Sequence, residues 1–205
     1  EMKALGLDGV VFHPRNYPDD PEYLGGDYLR ILSDTILYAR DLGLRFWLYD
    51  ENGWPSGIAG GRVLEGFPEL GAVHLESCER TEGEVVAELP GTEAPFLCVR
   101  KGHGVDYFNP QAIQRFLEIT HDTYGLSPEA WEHVEAIFTD EPELGLAGGF
   151  IDPDAPGCYL PWSPVFPDVY RARTGRDLVA DLPLLFQADD GGDARVRFLE
   201  MAADQ

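Results

Sequence analysis

The sequence predicts an α/β fold: about the first half of a (β/α)8 barrel, with a small antiparallel β insertion over residues 72–104. Three observations predict it. Short apolar runs rich in β-branched residues alternate with amphipathic stretches of helical period. Two of those runs end in adjacent acids, Asp50-Glu51 and Asp140-Glu141, and in parallel barrels the C-terminal strand ends carry the chemistry. The loops lengthen on that same side. A full barrel takes about 250 residues. The 205 residues here, less the insertion and one long loop, leave room for about four strand–helix units. A doubly wound open sheet is the alternative, but no GxGxxG turn follows a strand.

The elements follow in order. Leu7 to His13 (LDGVVFH) reads as a buried strand. Asp27 is placed to cap a helix from Tyr28, whose apolar face is Leu29, Leu32, Ile36, Leu37, Ala39 and Leu42. Gly43 closes it, since a left-handed C-cap suits glycine. Leu44 to Tyr49 is the next strand, completing a βαβ unit and hence a parallel sheet. Between Ala72 and Gly104 the pattern changes to strand-like alternation punctuated by Gly and Pro. Val105 to Phe108 is the candidate fourth strand. Asn109-Pro110 then opens a helix with Ile113, Phe116, Leu117 and Thr120 on one face. Ser127-Pro128-Glu129 opens a short one, and Val134 to Thr139 is the third clear strand. Residues 145–164 are rich in Gly and Pro and read as a long loop, with Tyr159 and Trp162 forming a lid or substrate wall. Helical signals return at Pro167 to Thr174 and Asp193 to Ala203. The domain expectation is therefore one barrel fragment over 1–205.

Composition bounds the partners. A formal net charge of −22 and a pI near 4.3 speak against nucleic acid, whose phosphates such a surface repels. No run of 18 apolar residues exists, so no membrane-spanning helix is expected. Cys78, Cys98 and Cys158 form no CxxC pair and no metal spacing; Cys78 and Cys98 can pair across a small sheet, but the sequence reads all three as free thiols. The chain opens at Glu1 in what reads as the tail of a helix, so the remainder of a longer polypeptide is an expected partner.

The chemistry-bearing residues cluster at the strand ends. In VEAIFTDEPE, one of Asp140 and Glu141 points inward, because side chains alternate along a strand. A carboxylate there, raised by desolvation and neighbouring charge, is how a general acid for glycosidic bond cleavage is made. Asp50, Glu51 and Asn52 put three oxygen-bearing side chains in a row, able to bind sugar hydroxyls or to hold Ca²⁺, a hard ion that prefers oxygen. They are equally ordinary turn formers. Trp54 offers an aromatic platform for a pyranose. His13 sits at the end of the first strand, and Arg15 can bind a hydroxyl or a carboxylate. His74, His103, His121 and His133 read as surface or packing residues, and no HExxH motif is present. Ser56 lies in WPSGIAGG, which lacks the first glycine of a nucleophile elbow and no GK[ST] follows it.

Several of these stretches resemble one family. YDENGWPSGIAGGRV (Tyr49 to Val63) resembles the YDE-x-GWPSG-x-AGG signature of α-L-rhamnosidases of glycoside hydrolase family 106 and their relatives. GVVFHPR (Gly9 to Arg15), DYFNPQAIQRFLEITHDTY (Asp106 to Tyr124), IFTDEPEL (Ile137 to Leu144) and the region from Leu160 to Phe186 are similar to the family's flanking segments, in the same order. The resemblance implies a catalytic (β/α)8 barrel within a longer protein. It implies inverting hydrolysis of terminal α-L-rhamnosides, a carbohydrate substrate and Ca²⁺ in the site. Glu141 falls at the general acid, Asp50 and Glu51 are the expected metal ligands, and His13, Arg15, Asp50, Glu51, Asn52, Trp54, Asp140 and Trp162 are the expected substrate contacts. The second carboxylate is expected beyond Gln205, and a secreted or periplasmic location fits the family. Two other readings remain: a carbohydrate-binding or scaffold module without catalysis, and an Mg²⁺-dependent enolase-type enzyme. The last needs a Lys or His base, and neither Lys3 nor Lys101 ends a barrel strand.

Overall fold

The computed structural model describes residues 1–79, 84–142, 159–186 and 191–204. Its strands are β1 (Gly9–Phe12), β2 (Arg45–Tyr49), β3 (Gly71–Cys78), β4 (Val85–Glu88), β5 (Phe96–Val105), β6 (Val134–Phe138) and β7 (Tyr159–Trp162). Its α-helices are α1 (Gly26–Asp41), α2 (Pro110–Ile119), α3 (Pro128–Trp131), α4 (Phe166–Thr174), α5 (Leu178–Leu185) and α6 (Gly192–Ala203). The chain divides into two units: Glu1–Glu69 with Gln111–Pro142, and Leu70–Pro110 with Glu143–Gln205.

The first unit is built on a parallel sheet of order β1-β2-β6. Val10 pairs with Phe46, and Leu48 with Ile137. One face is buried by helices. Tyr28, Leu32, Ile36 and Ala39 of α1 recur at helical spacing and pack with Phe46, Leu48, Tyr124, Leu126 and Ala130 into one apolar cluster. The other face leaves Val11, Trp47 and Ile137 partly exposed. Helix α1 starts at Gly26 with Gly25 as its N-cap rather than Asp27. Asp27 sits in the first turn instead, where a carboxylate meets the positive end of the helix dipole. Gly43, at φ 66°, turns the chain out of the helix as expected. In α2 the buried face is Ala112 and Phe116, continued by Thr120, while Leu117 is exposed.

The second unit is an antiparallel sheet of order β4-β5-β3-β7. Leu75, Leu97, Leu160 and Trp162 from its strands pack with Phe166, Tyr170, Leu182 and Phe198 from α4, α5 and α6. Asp181 of α5 is buried and accepts two hydrogen bonds from Arg176 (2.6 and 2.7 Å) and one from the Tyr170 hydroxyl (2.8 Å).

The half-barrel expectation is overturned. Among the described residues the parallel sheet has three strands, and no fourth parallel strand joins it. Val105, expected to open that strand, ends the antiparallel β5 opposite Gly71. Asp106 then turns the chain into α2: its carboxylate accepts from Phe108 N and its carbonyl from Asn109 N. The supposed insertion, 72–104, belongs to the second unit, whose sheet is completed by β7 within the stretch expected to be loop. Residues 145–158 of that stretch lie outside the described residues. The free-thiol expectation is corrected too. Cys78 and Cys98 form a disulfide between β3 and β5, with Cα atoms 5.9 Å apart; Cys158 lies outside the described residues.

Two predictions test the second unit. The disulfide closes a loop of sequence separation 20, worth about 3 kcal/mol of loop-closure entropy. Cys98→Ser should therefore lower its thermal midpoint by several degrees, and identical melts with and without reductant would refute the bond. Hydrogen bonds from Arg176, against burial, hold the Asp181 carboxyl below its usual value. A depressed carboxylate stabilises the fold above its unfolded pKa and loses that contribution as pH falls through the folded one. Asp181→Asn should thus cost about 1.5–3 kcal/mol at neutral pH. It should also flatten the dependence of stability on pH below about 4, as read by urea unfolding across acid pH.

Candidate functional site

The C-terminal ends of β1, β2 and β6 lie side by side in the first unit, and the sequence-predicted residues are sorted there into two sets. One set is buried and holds the loops in place. The other faces outward.

Glu51 anchors the first set. It is fully buried, and its carboxylate accepts five backbone hydrogen bonds. Asn52 N and Gly60 N reach Oε1 at 2.7 and 2.8 Å. Gly57 N, Ile58 N and Ala59 N reach Oε2 at 2.8–2.9 Å. Five N–H groups can converge on one carboxylate because the loop bends repeatedly through left-handed backbone. Gly57 has φ 117°, a value open only to glycine. A Cβ on Gly60 (φ 64°) would meet the Asn52 side chain at 3.0 Å. Burial pushes the Glu51 carboxyl above its ordinary value, against the pull of the N–H donors, which favour the anion.

Asp50, also buried, is held between two hydroxyls. Ser56 Oγ donates to its Oδ1 and Thr139 Oγ1 to its Oδ2, both at 2.7 Å. Ser56 further grips the chain after β6: its N–H donates to the Asp140 carbonyl (3.0 Å), and its Oγ accepts from the Asp140 N–H (2.9 Å). A buried serine so engaged is a staple between loops. Tyr49 lies beneath, its hydroxyl donating to the Gly53 carbonyl at 2.9 Å. Burial, with the charges of Asp140, Glu51 and Asp50, pushes that hydroxyl up to about 12.

The outward set stands on this base. His13 stacks on the Tyr49 ring at 3.8 Å between centroids, and its Nε2 lies 3.9 Å from Asp140 Oδ2. The Arg15 guanidinium lies over the Trp54 ring at 5.4 Å, and Trp54 is 43% exposed. Glu141 is exposed, with its backbone at φ 42°. A non-glycine residue there carries about 1–3 kcal/mol of strain, a feature that concentrates at functional sites. Of the paired acids, Asp140 is half-buried and turns to His13, while Glu141 is exposed.

The expected set is therefore not one set. His13, Arg15, Trp54, Asp140 and Glu141 share the rim of the first unit. Asp50 and Glu51 support it from inside, with Asn52 against Gly60 beside them. Trp162 is a core residue of the second unit, packed edge-on to Phe166. The two residues expected to hold Ca²⁺ are both engaged within the protein. Every oxygen of Glu51 faces N–H donors, and each oxygen of Asp50 accepts from a hydroxyl. Sequence reasoning missed Ser56 and Thr139 as site residues. The available signal was the density of glycine after Glu51, which marks a loop whose N–H groups turn inward.

Compared with models of protein families, with curated proteins and with solved structures, the chain matches none.

If Glu51 is an anchor, Glu51→Gln should destabilise the first unit by about 2–3 kcal/mol, because an amide replaces an anion bound to five donors. A ligand contact would behave in the opposite way, losing saccharide affinity with an unchanged urea midpoint. The two outcomes separate in one denaturation series.

Proposed function

We propose that the rim of the first unit is the saccharide site of a glycoside hydrolase resembling the α-L-rhamnosidases, which cleaves a terminal glycosidic bond by carboxylic acid/base catalysis. One observation carries the reading. Glu141 is an exposed carboxylate on strained backbone at the same strand ends that present His13, Asp140, Arg15 and Trp54. The motif resemblance from Tyr49 to Val63 supplies the carbohydrate.

In this reading Glu141 donates its proton to the glycosidic oxygen as the bond to the anomeric carbon breaks, so the leaving group departs as an alcohol. Water attacks the opposite face and passes a proton to a second carboxylate about 6.5–9.5 Å from the first, the separation that inversion needs. That base belongs to the remainder of the longer polypeptide in this proposal. Trp54 supplies an apolar ring against the sugar face, and Arg15 and His13 supply hydrogen-bond donors to hydroxyls.

A second reading has its own support. Asp50 and Glu51 are consumed by internal hydrogen bonds, so two of the four acids at these strand ends are unavailable for chemistry. A rim that binds sugar without cleaving it is compatible with that loss.

Glu141→Gln in the full-length protein decides between them. The substitution should lower kcat about 10²–10⁴-fold on a rhamnoside with a poor leaving group and much less on an activated aryl rhamnoside. Unchanged turnover would remove Glu141 from the mechanism. Calorimetric binding of L-rhamnose with no turnover by the unmodified full-length protein would favour the second reading.

A further inference from the structure

We infer that Asp50 and Thr139 are positioning residues, which set the Asp140 carboxylate against His13. The inference rests on the proposed reading of the rim as the reacting site.

The argument starts from what fixes Asp140. Strand β6 ends at Phe138, so beyond it the sheet ladder no longer dictates where the chain goes. Ser56 takes over, bonding both the Asp140 N–H and its carbonyl. Thr139, the residue just before, is tied through Oγ1 to Asp50 Oδ2. Asp50 Oδ1 accepts from the same Ser56 hydroxyl. The three hydrogen bonds Thr139–Asp50, Asp50–Ser56 and Ser56–Asp140, closed by the peptide bond between 139 and 140, form a ring joining the loop after β2 to the loop after β6.

The chemistry of the ring suits a fixed frame. An ionised carboxylate only accepts, so it orients both hydroxyls as donors. The Ser56 oxygen is thereby left to accept from Asp140 N–H. Asp50 is 2% exposed, and each of its oxygens accepts from a hydroxyl, so it presents almost no surface to a solvent-borne ligand. The product of the ring is the location of Asp140 Oδ2, 3.9 Å from His13 Nε2, with the imidazole pinned from the other side by Tyr49. A displacement of about 1 Å in such a pair can lower a rate 10²-fold.

The test compares Thr139→Val, which keeps shape and loses the hydroxyl, with Thr139→Ser, which keeps the hydroxyl. On an aryl α-L-rhamnoside, Thr139→Val should lower kcat about tenfold or more with KM within about twofold, while Thr139→Ser restores wild-type kcat. The His13 ring cross-peak in a ¹H–¹³C spectrum, assigned with His13→Gln, should move in Thr139→Val toward its position in Asp140→Asn and stay in place in Thr139→Ser. Asp50→Asn provides a second break in the ring and should move the same resonance. The inference is overturned if Thr139→Val and Asp50→Asn leave the His13 resonance at its wild-type position. It is equally overturned if Thr139→Ser changes kcat as much as Thr139→Val does. If the unmodified protein neither binds nor cleaves rhamnosides, the functional reading fails on its own, and the resonance positions alone decide the positioning role.

Discussion

The strand-end architecture of the first unit depends on one buried anion. Glu51 enters the interior at the end of an apolar strand, and in apolar surroundings an isolated carboxylate is untenable. The loop that follows it resolves the problem by wrapping around it. Five backbone N–H groups from residues 52–60 turn onto its two oxygens. Each charge-assisted bond is worth about 1.5–3 kcal/mol in isolation, although such terms do not add. The dependence runs both ways, since without the anion five donors would be left facing one another.

Everything outward of that anchor inherits its position. Ser56 sits midway along the wrapped loop, so fixing the loop on Glu51 brings the serine within reach of the chain leaving β6. The result is a division of labour between neighbours in sequence. Asp50 and Glu51 build the frame, and Asp140 and Glu141, one strand over, stand on it with side chains turned to solvent or to His13. Four acids of the same chemistry receive different roles from burial alone.

Local structure was legible in the sequence, and long-range pairing was not. The strands at β1, β2 and β6 and the helices α1 to α4 and α6 follow from apolar periodicity and caps, since each depends on residues a few positions apart. Ser127, for instance, caps α3 by accepting from Ala130 N. A βαβ unit is common to barrels and open sheets, however, and the number of parallel strands that assemble is a non-local fact. So residues 105–108 were expected in a parallel sheet, whereas Val105 ends an antiparallel strand and Asp106 turns the chain into α2. Helix α5 was hidden by Pro183, which brings no N–H to the helix and in a sequence reads as a helix breaker. At the site, the proximity of His13 to Asp140 was foreshadowed by both ending apolar strands. The inward role of Glu51 was not, because a D-E-N-G run has the same composition whether its acids face water or backbone.

The same logic extends to the composition. The chain carries 37 acidic against 15 basic residues, and among the described residues four of the acids, Asp50, Glu51, Asp106 and Asp181, are buried. It satisfies most of them with neutral donors. Glu51 is held by backbone N–H groups, and Asp50 by two hydroxyls. Asp106 is held by Ser163 Oγ at 2.6 Å and Phe108 N at 3.1 Å. Asp181 alone among the buried acids of the described residues has arginine partners. Neutral donors bring no second ion to desolvate, so these sites avoid the double desolvation that makes buried ion pairs weak contributors. They also hold the acids by short, directional bonds rather than by charge attraction, which salt would screen. A strongly acidic protein can in this way keep rigid interior carboxylates while its surface charge varies freely, as the loop wrapped on Glu51 does.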